Sequence, residues 1–306
     1  MKSYEVISFK GITAMESFRS AGKQSSTKLF STAMLTPGAL LTFVLILFSL
    51  ALVVFLAFRF NDGSLLGSGF SLGNFGTLLG EPLYWLVILR SLIIAGVVTL
   101  ATVTTAYPVA YYLAFRAGRH RGLILFLVTL PFWTSYLLRV FAWKIVLAYN
   151  GVLNSALLAT GITSEPLTIF LNTPASVVLT LAHAYAPFAI LPIFVALETI
   201  PRSLMEAAAD LGARPIITFR RIILPQSMPG VLAAALVVFV PTVGDYVTPA
   251  LVGGPASIMI GSLIQAQFGK ANDWPFGAAL ALLVMLVILV VVLLARSADR
   301  IFGSRA

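Results

Sequence analysis

The sequence has 306 residues, of which 59% are hydrophobic and 10% are charged, and its formal net charge at pH 7 is +9. A soluble domain carries about a quarter charged residues, so this composition excludes a soluble globular protein and indicates a chain surrounded by a lipid bilayer. The basic residues lie in short clusters between apolar runs, which argues against nucleic-acid binding. The absence of cysteine excludes disulfides, thiolate metal sites and a cysteine nucleophile.

Six apolar runs reach the length of about 20 residues that a membrane-spanning helix needs. They cover Ala33–Phe58, Ser91–Phe115, Leu123–Ala148, Ala175–Leu197, Met228–Val252 and Phe276–Ala295. The first run is too long for the core of a signal peptide, so it predicts an uncleaved anchor. We expect an all-α polytopic membrane protein. It would have an N-terminal tail (residues 1–32), a six-helix domain (residues 33–296) and a C-terminal tail (residues 297–306).

The basic residues predict the orientation of these spans, because Lys and Arg near span ends favour the cytoplasmic side. Of the 20 basic residues, 15 lie in the two tails, the loop between the second and third runs, and the loop between the fourth and fifth runs. All of these segments fall on one side of a six-span protein. We therefore expect both termini in the cytoplasm and a multi-pass protein of the inner (plasma) membrane.

No motif for covalent chemistry or nucleotide binding occurs in the sequence. GxxxxGK[ST], HExxH and CxxC are all absent. His120 lies in a basic loop and His183 on an apolar helix, so the two histidines predict no metal site. Paired catalytic acids and a nucleophile–base arrangement are also missing. We expect a chain that is not an enzyme and that binds no cofactor of its own.

The segment of residues 201–226 places several charges between two long apolar runs, and it predicts a first short helix. Ser203 and Glu206 have the spacing of a capping box at the start of this helix. Glu206, Asp210 and Arg214 have the i,i+4 spacing of helical ion pairs. One apolar face is predicted on the same helix, formed by Leu204, Ala207, Ala208 and Leu211.

A second short helix is predicted after a turn. Gly212 can adopt the left-handed conformation that stops the first helix. Pro215 can begin the second helix and Pro225 can end it. The result is a compact helix–turn–helix on the inner face of the membrane. It either docks into the groove of a partner protein or merely caps the helix bundle, and both interpretations stay open on the pattern alone.

The same segment resembles the EAA loop of ABC-importer permease subunits, so we call residues 201–226 the EAA segment. The family pattern is EAA, three residues, Gly, nine residues, Ile, one residue and Leu-Pro. The matching positions are Glu206, Ala207, Ala208, Gly212, Ile222, Leu224 and Pro225, and Asp210 lies among them. This resemblance implies a coupling helix that docks on a dimer of separate cytoplasmic ATPase subunits, which bind ATP and Mg²⁺. It also implies a second, homologous permease subunit and an extracytoplasmic solute-binding protein.

Three further segments are similar to the first permease subunit of spermidine/putrescine transport systems: Pro131–Asn154, Val240–Gly254 and Asn272–Ala279. The resemblance implies a small organic solute, with a polyamine as the first choice. An amino-acid-like or opine-like solute is the alternative. A stand-alone secondary transporter is less favoured, because it would need an ion-coupling site and few acidic residues lie within the spans.

Acidic and aromatic residues within the spans suggest a solute pathway. Asp245 lies between Pro241 and Pro249, a pattern that predicts a broken helix with free backbone carbonyl groups. Such a lining suits a cationic solute. The candidate pathway residues are Asp245, Tyr246, Trp133, Tyr136 and Arg139.

Two alternatives remain for these residues. Asp245 either contacts the solute or neutralises Arg139 within the bundle. A basic residue in the pathway would repel a polyamine, so Arg139 and Lys144 instead favour an acidic or zwitterionic solute. The recurring positions of Trp133, Tyr136, Val140 and Trp143 either offer ring faces to ammonium groups or serve packing and interface anchoring.

Overall fold

The computed structural model describes residue 38 and residues 40–64 and 66–303, with side-chain surroundings up to residue 294. The N-terminal tail and the start of the first apolar run at Ala33 lie outside the described residues. The chain forms two units, Met1–Phe55 and Leu56–Ala306. The first unit holds most of helix α1 (Leu40–Ala57), whose side chains are largely exposed, as suits a helix surrounded by lipid.

The rest of the described chain is mostly helical, as the sequence predicts. A two-stranded antiparallel sheet of β1 (Arg59–Phe60) and β2 (Ser68–Phe70) follows α1. The helices after it are α2 (Gly73–Gly80), α3 (Pro82–Phe115), α4 (Arg121–Thr129), α5 (Tyr136–Val146), α6 (Val152–Ala159), α7 (Pro174–Glu198), α8 (Arg202–Asp210), α9 (Pro215–Thr218), α10 (Leu224–Val243), α11 (Val247–Val252), α12 (Ile260–Ala266) and α13 (Trp274–Gly303). Two π-helical segments, Phe219–Ile223 and Gln267–Ala271, interrupt this series.

Five helices among the described residues are long and apolar enough to cross a membrane: Leu40–Ala57, Pro82–Phe115, Pro174–Glu198, Pro215–Val243 and Trp274–Leu294. The predicted fourth run matches α7 to within one residue at each end. The second span begins nine residues before the predicted start at Ser91, since the apolar pattern continues upstream. The last helix continues beyond the predicted end of its apolar run, to Gly303.

The predicted third span is not one straight helix. The segment Gly118–Trp133 meets α5 at an angle of 91°, so the run Leu123–Ala148 is a bent pair of helices. The described chain has six spans if this pair counts as one span, and five if it does not. Pro131 has no N–H for the helical ladder, and the chain around it tightens into a 3-10 turn. Thr134 and Ser135 then take extended ψ angles of 149° and 134°. We call Thr134 and Ser135 the α4–α5 bend.

The predicted break in the fifth span is confirmed. Helix α10 ends at Val243 and α11 begins at Val247, so the chain leaves helical geometry at Gly244–Tyr246. We call these three residues the α10–α11 break. Pro249 favours a new helix start here. It lies in the first turn of α11, where a backbone N–H would have no acceptor within the helix, so its missing N–H costs no hydrogen bond.

The core of the second unit lies where α3, α7 and α10 pack together. Its fully buried side chains include Leu113 of α3, Leu181 and Ile193 of α7, and Val238 of α10. Gly230 brings α10 close to α7, since a Cβ there would lie 2.4 Å from the Ala196 Cβ and 2.7 Å from the Pro192 carbonyl oxygen.

We predict that Gly230→Val destabilises this core by about 1–3 kcal/mol or more, because an overpacked interface forces helices apart. Thermal unfolding of the purified protein in detergent measures the effect. Gly96→Val is the matched control, since a Cβ at this helical glycine meets no atom within 4 Å. Equal unfolding temperatures for the two variants would contradict the prediction.

Candidate functional site

The EAA segment starts differently from the predicted capping box. Helix α8 begins at Arg202 with Pro201 at the N-cap, and no side chain caps it. Ser203 therefore lies inside the first turn, where it is not in the position to cap the backbone. The capping-box prediction is wrong, because the N-cap is Pro201, two residues before the Ser203 that the Ser203–Glu206 spacing requires there.

Gly212 ends α8 as predicted. Its φ angle is +73°, in the left-handed region that favours glycine. The Gly212 N–H donates to the Ala209 carbonyl oxygen at 2.9 Å, and the Ala213 N–H donates to the Ala208 carbonyl oxygen at 2.9 Å. This pair of bonds is a Schellman motif, which gives the end of α8 a defined shape.

The predicted i,i+4 ion pairs of the EAA segment are absent. Neither Glu206 nor Asp210 has a carboxylate oxygen within 4.0 Å of the Arg214 guanidinium. The helix ends at Asp210, so Arg214 lies beyond the turn at Gly212 and no longer shares a helical face with Asp210. Glu206 and Asp210 are instead exposed to solvent.

The second helix of the EAA segment begins at Pro215 as predicted, but Pro225 does not end it. Helix α9 continues through the π-helical segment Phe219–Ile223 into α10, and Pro225 lies in the first turn of α10. The Leu224 N–H donates to the Phe219 carbonyl oxygen, five residues back. This wider turn rearranges the hydrogen-bond ladder where Pro225 lacks a donor, so the loop and the span form one continuous helix.

The apolar face predicted on α8 divides in two. Ala208 is buried and Met205 packs on the hydrophobic core, whereas Leu204 is 39% exposed and Leu211 is 87% exposed. Ala207 is exposed as well. Ala208 and Met205 thus point toward the helix bundle. The exposed side chains form a small apolar surface that has no partner among the described residues.

Aromatic packing anchors the EAA segment to α3. The Phe219 ring lies 5.8 Å from the Tyr107 ring and 6.2 Å from the Tyr111 ring, both edge-on. The Tyr107 hydroxyl also forms a 2.8 Å hydrogen bond with the Ser227 hydroxyl. Sequence reasoning did not identify Phe219, although an aromatic residue within a basic loop was a usable signal. A displacement of α8 and α9 would therefore be transmitted directly to α3 and α10.

A salt bridge joins the start of α4 to the end of α7. Arg121 pairs with Glu198, and its guanidinium carbon lies 4.7 Å from the centre of the Phe194 ring. It is the one ion pair within 4.0 Å among the residues whose side chains the structure describes. Both side chains are about two-fifths exposed, so the pair adds little stability.

Asp245 is the only charged side chain that is buried in the part of the chain the structure describes, with 8% of its surface exposed. Its carboxylate accepts a hydrogen bond from the Tyr136 hydroxyl at 2.8 Å and from the Val247 N–H at 3.1 Å. The Tyr136 hydroxyl also lies 2.6 Å from the Thr248 hydroxyl. Residues of α5 and of the α10–α11 break thus form one polar cluster.

Arg139 does not neutralise Asp245. Its guanidinium donates to three main-chain carbonyl oxygens: Ala184 at 3.0 Å, Pro131 at 2.6 Å and Thr134 at 3.1 Å. The α4–α5 bend leaves the Thr134 carbonyl group without a main-chain donor, and the arginine fork supplies one. The Pro131 carbonyl oxygen also accepts from the Thr134 N–H at 3.3 Å. The ion-pair interpretation is therefore wrong, because the bend offers Arg139 nearer acceptors than Asp245.

The predicted aromatic stripe is divided by the α4–α5 bend. Trp133 precedes the bend and is 79% exposed, whereas Val140 is fully buried. Trp143 donates its indole N–H to the His183 Nδ1 at 3.1 Å. Of the five candidate pathway residues, only Tyr136 and Asp245 are in contact through side chains, while Tyr246, 47% exposed, adjoins Asp245 in the break.

A family comparison identifies the chain. A family model described as the inner membrane component of binding-protein-dependent transport systems matches residues 106–305. The chain belongs to this family. The matched region includes the EAA segment, the α4–α5 bend, the α10–α11 break and the polar cluster around Asp245. The chain is therefore an ABC-importer permease, a multi-pass protein of the inner membrane, as its resemblance implies.

Two curated relatives and one solved structure place the permease more closely. It is 38% identical to the spermidine/putrescine transport system permease protein PotB of Escherichia coli (strain K12) over 245 residues, 80% of this chain and 88% of that protein. It is also 38% identical to the inner membrane ABC transporter permease protein YdcU of the same strain over 222 residues, 68% of this chain and 70% of that protein. A chain of a bacterial ABC transporter involved in the import of the acidic polysaccharide alginate shares the fold, with a TM-score of 0.70 and 19% identity over 92% of this chain and 98% of that chain.

The three carbonyl contacts of Arg139 lead to a prediction for this permease. Arg139→Lys keeps the positive charge, but an ammonium group lacks the planar fork that reaches several carbonyls at once. Hydrogen bonds to charged groups contribute about 1.5–3 kcal/mol each, so we expect a clear fall in the unfolding temperature of the purified permease.

Lys144→Arg is the control for this variant, because Lys144 is an exposed basic residue of the same helix. We expect it to leave the unfolding temperature unchanged. An Arg139→Lys protein as stable as the wild type would show that the bend holds without the guanidinium contacts.

Proposed function

We propose that this permease is one of two homologous subunits that together carry a polyamine such as spermidine or putrescine across the inner membrane. In this proposal the bent pair counts as the third of six spans, and both termini lie in the cytoplasm. A binding protein delivers the solute from outside, and a dimer of ATPase subunits binds ATP and Mg²⁺ beneath the membrane. The chain itself catalyses no covalent step and holds no cofactor.

The observation that carries the polyamine proposal is the buried carboxylate of Asp245. No cationic side chain of the described chain lies within 4.0 Å of it. A charge at membrane depth is expensive and is found where it faces a pathway or a partner. A solute ammonium group would supply the missing positive charge. The identity with PotB supports the same solute class.

The position of Arg139 also supports a cationic solute. Its terminal nitrogens are held by the carbonyl groups of Pro131, Thr134 and Ala184, so they are not directed toward an incoming carboxylate. This removes the main argument for an acidic solute. The aromatic ring of Tyr136, beside Asp245, adds a face that attracts ammonium groups by about 0.5–2 kcal/mol.

In the proposed orientation Asp245 lies toward the outer face. Residues 227–243 of α10 separate it from the EAA segment, and at 1.5 Å per residue they span about 26 Å, most of the hydrocarbon thickness of about 30 Å. A solute released by the binding protein would therefore reach Asp245 early in its passage.

The EAA segment supports the proposed ATPase contact. Its exposed apolar surface includes Leu204, Leu211 and Ile216, and an apolar helical face is a common means of docking into a groove. Because α9 continues into α10, and Phe219 packs on α3, movement of the ATPase subunits would turn both helices. The spans would then alternate between inward-facing and outward-facing states.

One reconstitution tests this function. The chain is assembled with its second permease, ATPase and binding protein in liposomes, and ATP hydrolysis is measured with spermidine, putrescine, and an acidic or opine-like solute. We expect only the polyamines to stimulate hydrolysis. Stimulation by the acidic or opine-like solute alone would replace the polyamine proposal with that solute class. Uptake by vesicles that lack the ATPase would identify a secondary transporter instead.

A further inference from the structure

A groove lies beside the α10–α11 break, separate from the contacts of the Asp245 side chain. It has a volume of about 410 Å³ and is lined by Gly244, Tyr246, Gly261, Gln265 and Phe268, with Ile264 and Gly269 completing the wall. No charged side chain lines it, and Lys270, which follows Gly269 in the chain, is not part of the wall. Helix α12 forms one side, so the groove joins the break to a second element.

The break leaves two carbonyl groups without hydrogen bonds. Within the described chain, neither the Gly244 nor the Asp245 main-chain carbonyl oxygen accepts one. The helical donor four residues beyond Asp245 would be Pro249, which has no N–H. Gly244 is exposed and lines the groove, so its carbonyl oxygen is free to accept a hydrogen bond from a donor that enters the groove.

Gly261 packs against the break, and it lines the groove together with Gly244. A Cβ at this position would lie 2.3 Å from the Gly244 carbonyl oxygen and 3.0 Å from the Asp245 carbonyl oxygen. Any larger residue at position 261 would displace the break or cover these oxygens. The absence of a side chain brings α12 against the break while Gly244 remains exposed.

The remaining polar groups of the groove are free as well. Gln265 and Tyr246 are exposed, and neither side chain makes a hydrogen bond within the described residues. The amide oxygen of Gln265 and the hydroxyl of Tyr246 can both accept. The rings of Tyr246 and Phe268 offer faces that attract a cation. The groove is thus rich in acceptors and aromatic surface, and it lacks the cationic donors that would hold a carboxylate.

We propose that this groove is a second solute subsite, which binds a primary alkylammonium group next to the Asp245 site. The inference rests on the proposed function in that the ammonium group belongs to the transported solute. An ammonium carries three donors, which match three acceptors of the groove wall: the Gly244 carbonyl oxygen, the Gln265 amide oxygen and the Tyr246 hydroxyl. The site has no formal charge, so it holds the group weakly. A linear di- or triamine spans the groove and the Asp245 carboxylate with successive ammonium groups, and so moves between them without being trapped.

The absence of cysteine from the chain allows a direct test. Gln265→Cys is placed in the assembled transporter, and its modification by a cationic and by an anionic methanethiosulfonate reagent is followed from the mass of this subunit. We expect the cationic reagent to react at least about tenfold faster, as a cation-attracting site requires. Spermidine and the monoamine butylammonium should each slow the reaction. Ser164→Cys, on an exposed outer loop, is the control and should show no protection.

Three other outcomes overturn the subsite. Equal rates for the two reagents would mean that the groove does not select cations. Selectivity without protection by either amine would mean that it does not bind them. Failure of both reagents at Gln265→Cys, while Ser164→Cys reacts, would mean that another chain covers the groove. Protection by butylammonium in a transporter that does not import polyamines would retain the subsite and reject the proposed solute.

Discussion

Replacing Asp245 by asparagine is expected to lower ATP-driven polyamine uptake about a hundredfold, which corresponds to ~2.7 kcal/mol. Two opposite charges 4 Å apart attract by about 4 kcal/mol at the effective dielectric constant of a protein, so losing the carboxylate removes most of what holds an ammonium group. The amide keeps the shape and can still accept from the Val247 N–H. Initial rates of radiolabelled spermidine uptake into proteoliposomes measure the effect.

Folding does not explain this expected loss. Removing a buried charge that has no ionic partner relieves a desolvation penalty, so Asp245→Asn should assemble with its partners at wild-type yield. Glu165→Gln is the matched control, since it makes the same chemical change on an exposed loop, and we expect it to transport normally. Spermidine uptake by Asp245→Asn at the rate of the control would show that the carboxylate plays no part in solute binding.

The second large effect is expected at Gly212. Gly212→Pro removes the N–H that donates to Ala209 and imposes a φ near −65° where the backbone has +73°. The Schellman motif cannot form, so the end of α8 unwinds and its exposed residues, Leu204 and Leu211, lose their fixed spacing. We expect solute-stimulated ATP hydrolysis to fall to its basal level, and retention of the ATPase subunit on affinity purification to fall at least about tenfold, as interface anchors carry most of the binding energy.

Gly161 provides a close geometric match for this variant. It has a φ of +69° and follows α6 with the same pair of hydrogen bonds, from Gly161 to Leu158 and from Ile162 to Leu157, both at 3.1 Å. It lies in a loop predicted on the outer side. Gly161→Pro should therefore disrupt a helix end to the same degree and still retain the ATPase. If both variants lost the ATPase equally, the effect would be a general loss of structure and not a loss of docking.

Signals carried by single residues predicted several turns and helix ends in the EAA segment and at the α10–α11 break. The left-handed turn at Gly212 and the helix start at Pro215 follow from the backbone chemistry of those residues, so each was predictable without any neighbour. The broken helix at Asp245 followed from its flanking prolines in the same way. The capping box at Ser203 failed for the same kind of reason, because Pro201 is a stronger local start signal and lies two residues earlier.

The misjudged features depended on longer-range geometry. Pro225 normally ends a helix, but the π-helical segment before it, packed on α3 through Phe219, lets the helix continue. The run Leu123–Ala148 is apolar enough for one span, and Pro131 marks a possible interruption, but neither feature indicates that the two parts meet at 91°. The acceptor groove required α12 to fold back against the break, which no spacing in the sequence indicates.

By itself the sequence determined that this protein lies in a bilayer. It also determined the positions of the apolar runs and which glycine and prolines end or break helices. These properties depend on transfer to lipid and on backbone chemistry, which act within a few residues. Only the tertiary structure decided that Arg139 binds the carbonyl groups of a bend while Asp245 binds Tyr136. The partner of a buried polar group is whichever donor or acceptor the neighbouring helices bring within about 3 Å, and residues distant in the chain supply it.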